Sequence, residues 1–163
     1  MFMKKVLIVL FMSVMFGSLT HADEIDRTTK REQAPFGNLE ITPYYGNVVY
    51  AAQPDEATVG MFKDQGFDLV INIRELNEDL GFDEKALVEA QGITYTQIPY
   101  MQEPTFDSEF SDAALTKVMA AIDEASSKGK KILLHCSHGQ RVGSTLGAIL
   151  YREFGYSKEA AFK

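Results

Sequence analysis

Leu133 to Ser144 reads LLHCSHGQRVGS and holds the only cysteine of the chain, Cys136, with His135 before it and His138 two residues on. Cysteine attacks as its thiolate, which is favoured where backbone N–H groups or a helix N-terminus face the sulfur; thiols so placed have pKa values of about 3.5–7.5. Between Cys136 and Arg141, the residues Ser137, His138, Gly139 and Gln140 form a short loop in which Gly139 permits tight curvature. Such a loop can turn its N–H groups toward one centre and make a nest for an oxyanion. Arg141 adds a planar, permanently charged fork suited to two oxygens of a phosphate or sulfate.

Two plainer chemistries compete for these residues. A buried, inert thiol is the common fate of a cysteine after a core strand, but Gly139 and Arg141 follow it in the order an anion loop requires. His135, Cys136 and His138 could instead suggest a metal site. Crowded on a strand end and a tight loop, they are poorly arranged for tetrahedral coordination. No metal and no cofactor is therefore expected.

The elements that must position this loop alternate along the chain. Lys131 to His135 reads as a short central strand, and Val142 to Phe154 (VGSTLGAILYREF) as an apolar helix. Upstream, Ile41 to Tyr45 and Val48 to Ala51 flank Gly46-Asn47, a hairpin signal. Pro54-Asp55-Glu56 opens a helix running toward Gly66. Phe67 to Ile73 is a nearly continuous apolar strand, as expected where both sheet faces are covered. Arg74 to Gly81 is a charged loop, Phe82 to Gln91 a second helix, and Ile93 to Ile98 a strand stopped by Pro99. Tyr100 to Asp107 is a loop, and Ser108 to Lys128 has helical spacing closed by Gly129. This order predicts a three-layer α/β domain: a mostly parallel central sheet, helices on both faces and an edge hairpin.

The 163 residues suit one domain. Met1 to Ala22 has a basic start at Lys4 and Lys5, an apolar run from Val6 to Leu19 and small residues before Asp23, the pattern of a signal peptide cleaved after Ala22. Residues 23–36 are polar and aperiodic, which predicts a flexible arm, with order beginning near Gly37 and a domain over 37–163. The first 22 residues hold two lysines and no acid, so 14 basic and 23 acidic residues remain, a net charge of −9. That balance argues against nucleic-acid or anionic-membrane partners once the signal is removed. An exported or periplasmic protein with one unpaired cysteine uses it for something other than an internal disulfide. Gly155 to Lys163 reads as a loop, a cap and the first turns of a helix, so the C-terminus is expected to be incomplete. Oligomeric state is not readable.

HCSHGQRVGS resembles the signature of the cysteine-dependent phosphatases, His-Cys-x-x-Gly followed by Arg. With Tyr50 to Pro54 (YAAQP), Gly66 to Arg74 (GFDLVINIR) and Gly92 to Tyr100 (GITYTQIPY), the chain from about Val48 onward is similar to the dual-specificity type. The likeness extends to bacterial phosphatase-like proteins related to domains fused to NAD kinase or beta-lactamase-like hydrolases. The resemblance implies that Cys136 attacks phosphorus and forms a phosphocysteine. Backbone amides of Ser137, His138, Gly139, Gln140 and Arg141, with the Arg141 side chain and Val142 beside them, would bind the phosphorylated substrate, a protein or small molecule. His135 would orient the loop, with Ser144 as a supporting hydroxyl. The general acid would come from YMQEPTFD, where Glu103 lies nearer the strand and Asp107 is the more usual residue type.

Two features depart from that pattern. Only four residues separate Cys136 from Arg141 where the common signature has five, and Val142 stands where a hydroxyl residue usually follows the arginine. The shorter spacing resembles the active-site loop of rhodanese-type sulfurtransferases, whose cysteine carries a persulfide. Sulfur transfer, or phosphate binding with weak turnover, therefore stand beside phosphoester hydrolysis. Arg74 either reaches a second anionic group of the substrate or pairs with Glu75 or Glu78, the commoner use of such an arginine.

Overall fold

The computed structural model describes residues 27, 29–100 and 111–162. Six strands form one sheet in the order β1-β2-β3-β6-β4-β5. β1 (Lys30–Gln33), β2 (Thr42–Tyr45) and β3 (Val48–Ala51) pair antiparallel. β3, β6 (Ile132–His135), β4 (Leu69–Asn72) and β5 (Thr94–Gln97) pair parallel. The expected sheet, mostly parallel at its centre with an edge hairpin, is the one observed.

Every residue of β3, β4 and β6 is buried, because helices cover both faces. Side chains alternate between two cores. Val48, Tyr50, Leu69, Ile71, Ile132 and Leu134 pack with α3 (Asp112–Ser126) and α4 (Gln140–Glu153) through Leu115, Val118, Ile122, Val142 and Ile149. Val49, Ala51, Val70 and Leu133 face the other layer with α1 (Glu56–Val59), α2 (Glu84–Ala90) and the ring cluster Phe36, Phe62 and Phe67. α5 (Lys158–Ala161) packs against α4, where the Phe162 ring lies so close to Gly147 that a Cβ there would sit 2.6 Å from it.

Several elements depart from expectation. Within the segment read as a flexible arm, Lys30–Gln33 is a strand, paired residue for residue with Gln33 opposite Thr42 and Lys30 opposite Tyr45. Its stability is polar and so left no hydropathy pattern. The Arg31 guanidinium lies 4.5 Å from the Tyr44 ring centre and donates to Gly46 O, while Lys131 Nζ donates to Gln33 Oε1 at 2.9 Å. The helix opened by Pro54 closes at Val59, and Met61 N–H and Phe62 N–H donate three residues back, to Thr58 and Val59. The chain tightens into turns there while Phe62 stays in the core. α3 starts at Asp112, with the Ser111 side chain as its cap. α4 starts two residues earlier than read, at Gln140, directly after Gly139, whose φ of 83° lies in the left-handed region.

Candidate active site

Three loops leave the carboxyl ends of adjacent parallel strands and meet, the place where such sheets hold ligands. Ala51 and Asn72 both stand opposite His135 in register, so the residues just beyond them, Gln53, Arg74 and Cys136, gather at one sheet edge. Backbone bonds lock the level: Gln53 N–H donates to Ser137 O and Ile73 N–H to His135 O, each at 3.0 Å.

Cys136 continues the alternation of β6 and packs in the α3–α4 core, 1% exposed. Its sulfur accepts from the N–H of Gly139 at 3.2 Å, and the helix α4 begins at the next residue. The loop therefore curls back over the thiol and directs a backbone N–H at its sulfur. Arg141, in the first turn of α4, donates to Ser137 Oγ at 2.8 Å and through Nη2 and Nη1 to the two oxygens of Glu78 at 2.8 and 2.5 Å. This two-point pair holds the Glu78 carboxyl down to about 2 and raises Arg141. Thr145 Oγ1 donates to Arg141 O at 2.7 Å and secures the same turn.

His135, fully buried, projects to the opposite face of the sheet from Cys136. There its Nε2 stands 3.2 Å from Oε1 of Glu84, a carboxylate 1% exposed in the first turn of α2. Its Nδ1 is 3.5 Å from Cys136 O. Asn72 Nδ2 and Tyr95 Oη each donate to Glu84 Oε2 at 3.0 Å, and Gln53 Nε2 donates to Oε1 at 3.1 Å. Burial works against ionisation of Glu84, but His135, Tyr95 and Gln53 outweigh it and keep its carboxyl below the ordinary glutamate range.

Among the other expected residues, Ser137 touches both Arg141 and His138, whose Nδ1 is 3.1 Å from Ser137 Oγ. His138, Gly139 and Gln140 line a cleft of about 560 Å³ whose far wall includes Asn38, Ile41 and Thr42. Val142 borders that cleft but packs its side chain into the core, so its contribution to an anion site is through backbone. Ser144 lines a different cleft, with Tyr100 and Leu115. Glu103 and Asp107 lie outside the described residues. Arg74, 8% exposed, pairs with Glu78 (Nε to Oε2, 3.2 Å) and donates to Gln53 Oε1 and Asp79 O, the commoner use foreseen for it. Because His135 and Cys136 point to opposite faces, they do not share one coordination sphere.

Sequence reading missed the carboxylates and amides behind the loop. Glu78 was in view only as a partner for Arg74, while Glu84, Gln53, Asn72 and Tyr95 were not read as site residues. One signal was present: Gln53 belongs to YAAQP, a segment that carried part of the family likeness without a stated role.

The family model of the dual specificity phosphatase catalytic domain matches residues 49–163. Among solved structures, Tk-PTP in its active form is 28% identical, with 72% of this chain and 76% of that chain covered and a TM-score of 0.59. A DUF442 protein of Shewanella putrefaciens CN-32 is 24% identical over 82% of this chain and 74% of that chain, with a TM-score of 0.57. A cysteine-to-serine variant of P. aeruginosa TpbA, solved in complex with phosphotyrosine, is 18% identical over 87% of this chain and 77% of that chain, with a TM-score of 0.57. No curated protein matches the chain significantly. A thiol under a helix-capping loop, Arg141 on that same loop and a family match over residues 49–163 converge on one conclusion: the chain belongs to the dual-specificity phosphatase family and is a cysteine-dependent phosphatase.

Proposed function

We propose that the protein is an exported phosphatase that hydrolyses a phosphoester through a phosphocysteine at Cys136. The observation that carries this reading is the Cys136 sulfur, which receives the Gly139 N–H at the start of α4, with the Arg141 fork on the same loop. A tetrahedral dianion set over the sulfur meets loop N–H groups and the guanidinium, the charges that stabilise equatorial oxygens in phosphoryl transfer.

In the first step the thiolate attacks phosphorus; the S–P bond forms as the P–O bond to the leaving group breaks. The leaving oxygen takes a proton from a carboxylic acid of the sequence segment that joins β5 to α3, Glu103 or Asp107. The same carboxylate then removes a proton from water, which attacks phosphorus, breaks the S–P bond and returns the thiolate with inorganic phosphate. Glu78 fixes Arg141 without entering the reaction. The cleft walled by Ile41, Thr42, His138 and Gln140 borders the loop on the side of β2 and β3.

The short spacing between Cys136 and Arg141 supports sulfur transfer as the competing use of the same thiol. The test assays the protein and Cys136→Ser with a generic aryl phosphate and, separately, with thiosulfate plus cyanide. Phosphate release that Cys136→Ser abolishes is expected; thiosulfate-dependent thiocyanate without phosphate release would overturn the reading. Export is checked by N-terminal sequencing of the protein recovered from cells, with Asp23 expected as the first residue.

A further inference from the structure

A continuous line of polar contacts runs behind the site from the nucleophile's strand to its arginine. His135 Nε2 is 3.2 Å from Glu84 Oε1, the oxygen that accepts from Gln53 Nε2 at 3.1 Å. Gln53 Oε1 accepts from Arg74 Nη1 at 2.8 Å; Arg74 Nε is 3.2 Å from Glu78 Oε2, which accepts from Arg141 Nη2 at 2.8 Å. At the two ion-pair contacts, His135 and Arg74 have the distance but not the alignment of a hydrogen bond, so the better-aligned contacts in between fix the geometry. Gln53 stands at the centre, and its backbone N–H also holds the loop at Ser137 O.

The chemistry of the two neighbours dictates the residue type between them. Arg74 offers only donors, and ionised Glu84 only acceptors. A side chain that bridges them must accept at one end and donate at the other, which an amide does and a carboxylate or an alkyl chain does not.

We propose that Gln53 is a positioning residue for phosphate binding: it sets Arg74 against Glu78, and so aims the Arg141 fork, while tying Glu84 and His135 to the same frame. This rests on the phosphatase reading, since its purpose is to hold fork and thiol at one spacing. The four-residue loop gives that spacing little slack, and small misplacement of catalytic groups costs rate steeply.

Gln53→Glu sets a half-buried carboxylate face to face with the buried Glu84, and kcat/KM for an aryl phosphate is expected to fall at least about 30-fold. Gln53→Glu combined with Glu84→Gln returns one donor and one acceptor to that contact, and is expected to recover about ten-fold of the loss. A packing role predicts no such recovery. Gln53→Leu, confirmed folded by circular dichroism, should weaken binding of inorganic phosphate about ten-fold in the otherwise unaltered protein, yet less than about two-fold in Glu78→Gln, where the path to Arg141 is already cut. Unchanged phosphate affinity in Gln53→Leu, equal losses in both backgrounds, a double variant no better than Gln53→Glu, or failure of Gln53→Leu to fold would each overturn the proposal. An unaltered protein that binds phosphate but hydrolyses no aryl phosphate would overturn the phosphatase reading alone, leaving the binding comparison to decide the role of Gln53. One that binds no phosphate would overturn both.

Discussion

Strand β6 sends consecutive side chains into unlike surroundings. Leu134 and Cys136 enter a core of Val48, Ile71, Leu115, Val118 and Val142. His135, between them, enters the layer of α2, where the buried Glu84 and Asn72 form a polar cluster with the half-buried Tyr95 and Gln53. The apolar side gives the nucleophile a dry, close-packed seat; the polar side fixes the direction of the backbone that carries it. A thiol can be held by shape alone, whereas an anion pocket needs an arginine and an N–H array set at fixed angles, and directional bonds supply that. One strand with period-two alternation serves both needs at once.

The largest effect is expected at the nucleophile: Cys136→Ser should lower turnover of an aryl phosphate at least about 10³-fold, with inorganic phosphate still bound in a titration. Arg141→Lys removes the fork while keeping the charge, and kcat/KM should fall roughly 10²-fold. On the two core faces the prediction separates stability from activity. Leu134→Ala should cost about 2–5 kcal/mol in denaturant unfolding. Glu84→Ala, which strips the buried cluster of its charge, should cost about 3 kcal/mol and in addition lower kcat in the protein that remains folded. Equal activity per folded molecule in the two variants would erase the distinction drawn between the faces. Gly139→Ala is expected to be milder in stability, about 1–2 kcal/mol for a left-handed residue, because nothing lies within 4 Å of the added methyl group.

The smallest effect concerns pH. Glu78 is lowered from 4.5 to about 2, first through its hydrogen bonds with Arg141. A carboxyl lowered in the folded state contributes stability that is present above its unfolded value and is lost as pH falls through the folded one. The contribution should therefore be intact above roughly pH 5 and fade between about 4.5 and 2. Glu78→Gln is expected to flatten that part of the unfolding profile, and an unchanged profile would show the pair to be screened by solvent.

The residues with local signals were legible in the sequence. Cys136, Gly139 and Arg141 lie within six positions, and apolar runs mark β4 and β6. The buried cluster was not legible, since its partners are distant in sequence: Gln53 reaches Arg74 and Glu84 across 21 and 31 residues, and Arg141 reaches Glu78 across 63. A glutamate at the start of a helix reads as a solvated residue favoured by the helix dipole, and only the fold turns Glu84 inward beneath His135. Strand β1 escaped notice for a related reason: it is held by a backbone ladder and two cations rather than by buried side chains.

The central claim is that Cys136 carries the phosphoryl group during turnover. Rapid acid quench of the protein mixed with an aryl phosphate, followed by mass spectrometry of the peptide containing Cys136, tests it directly. One phosphoryl group is expected on Cys136, absent in Cys136→Ser and shed as inorganic phosphate during a chase. Phosphate release with an unmodified Cys136 peptide, or undiminished turnover by Cys136→Ser, would contradict it.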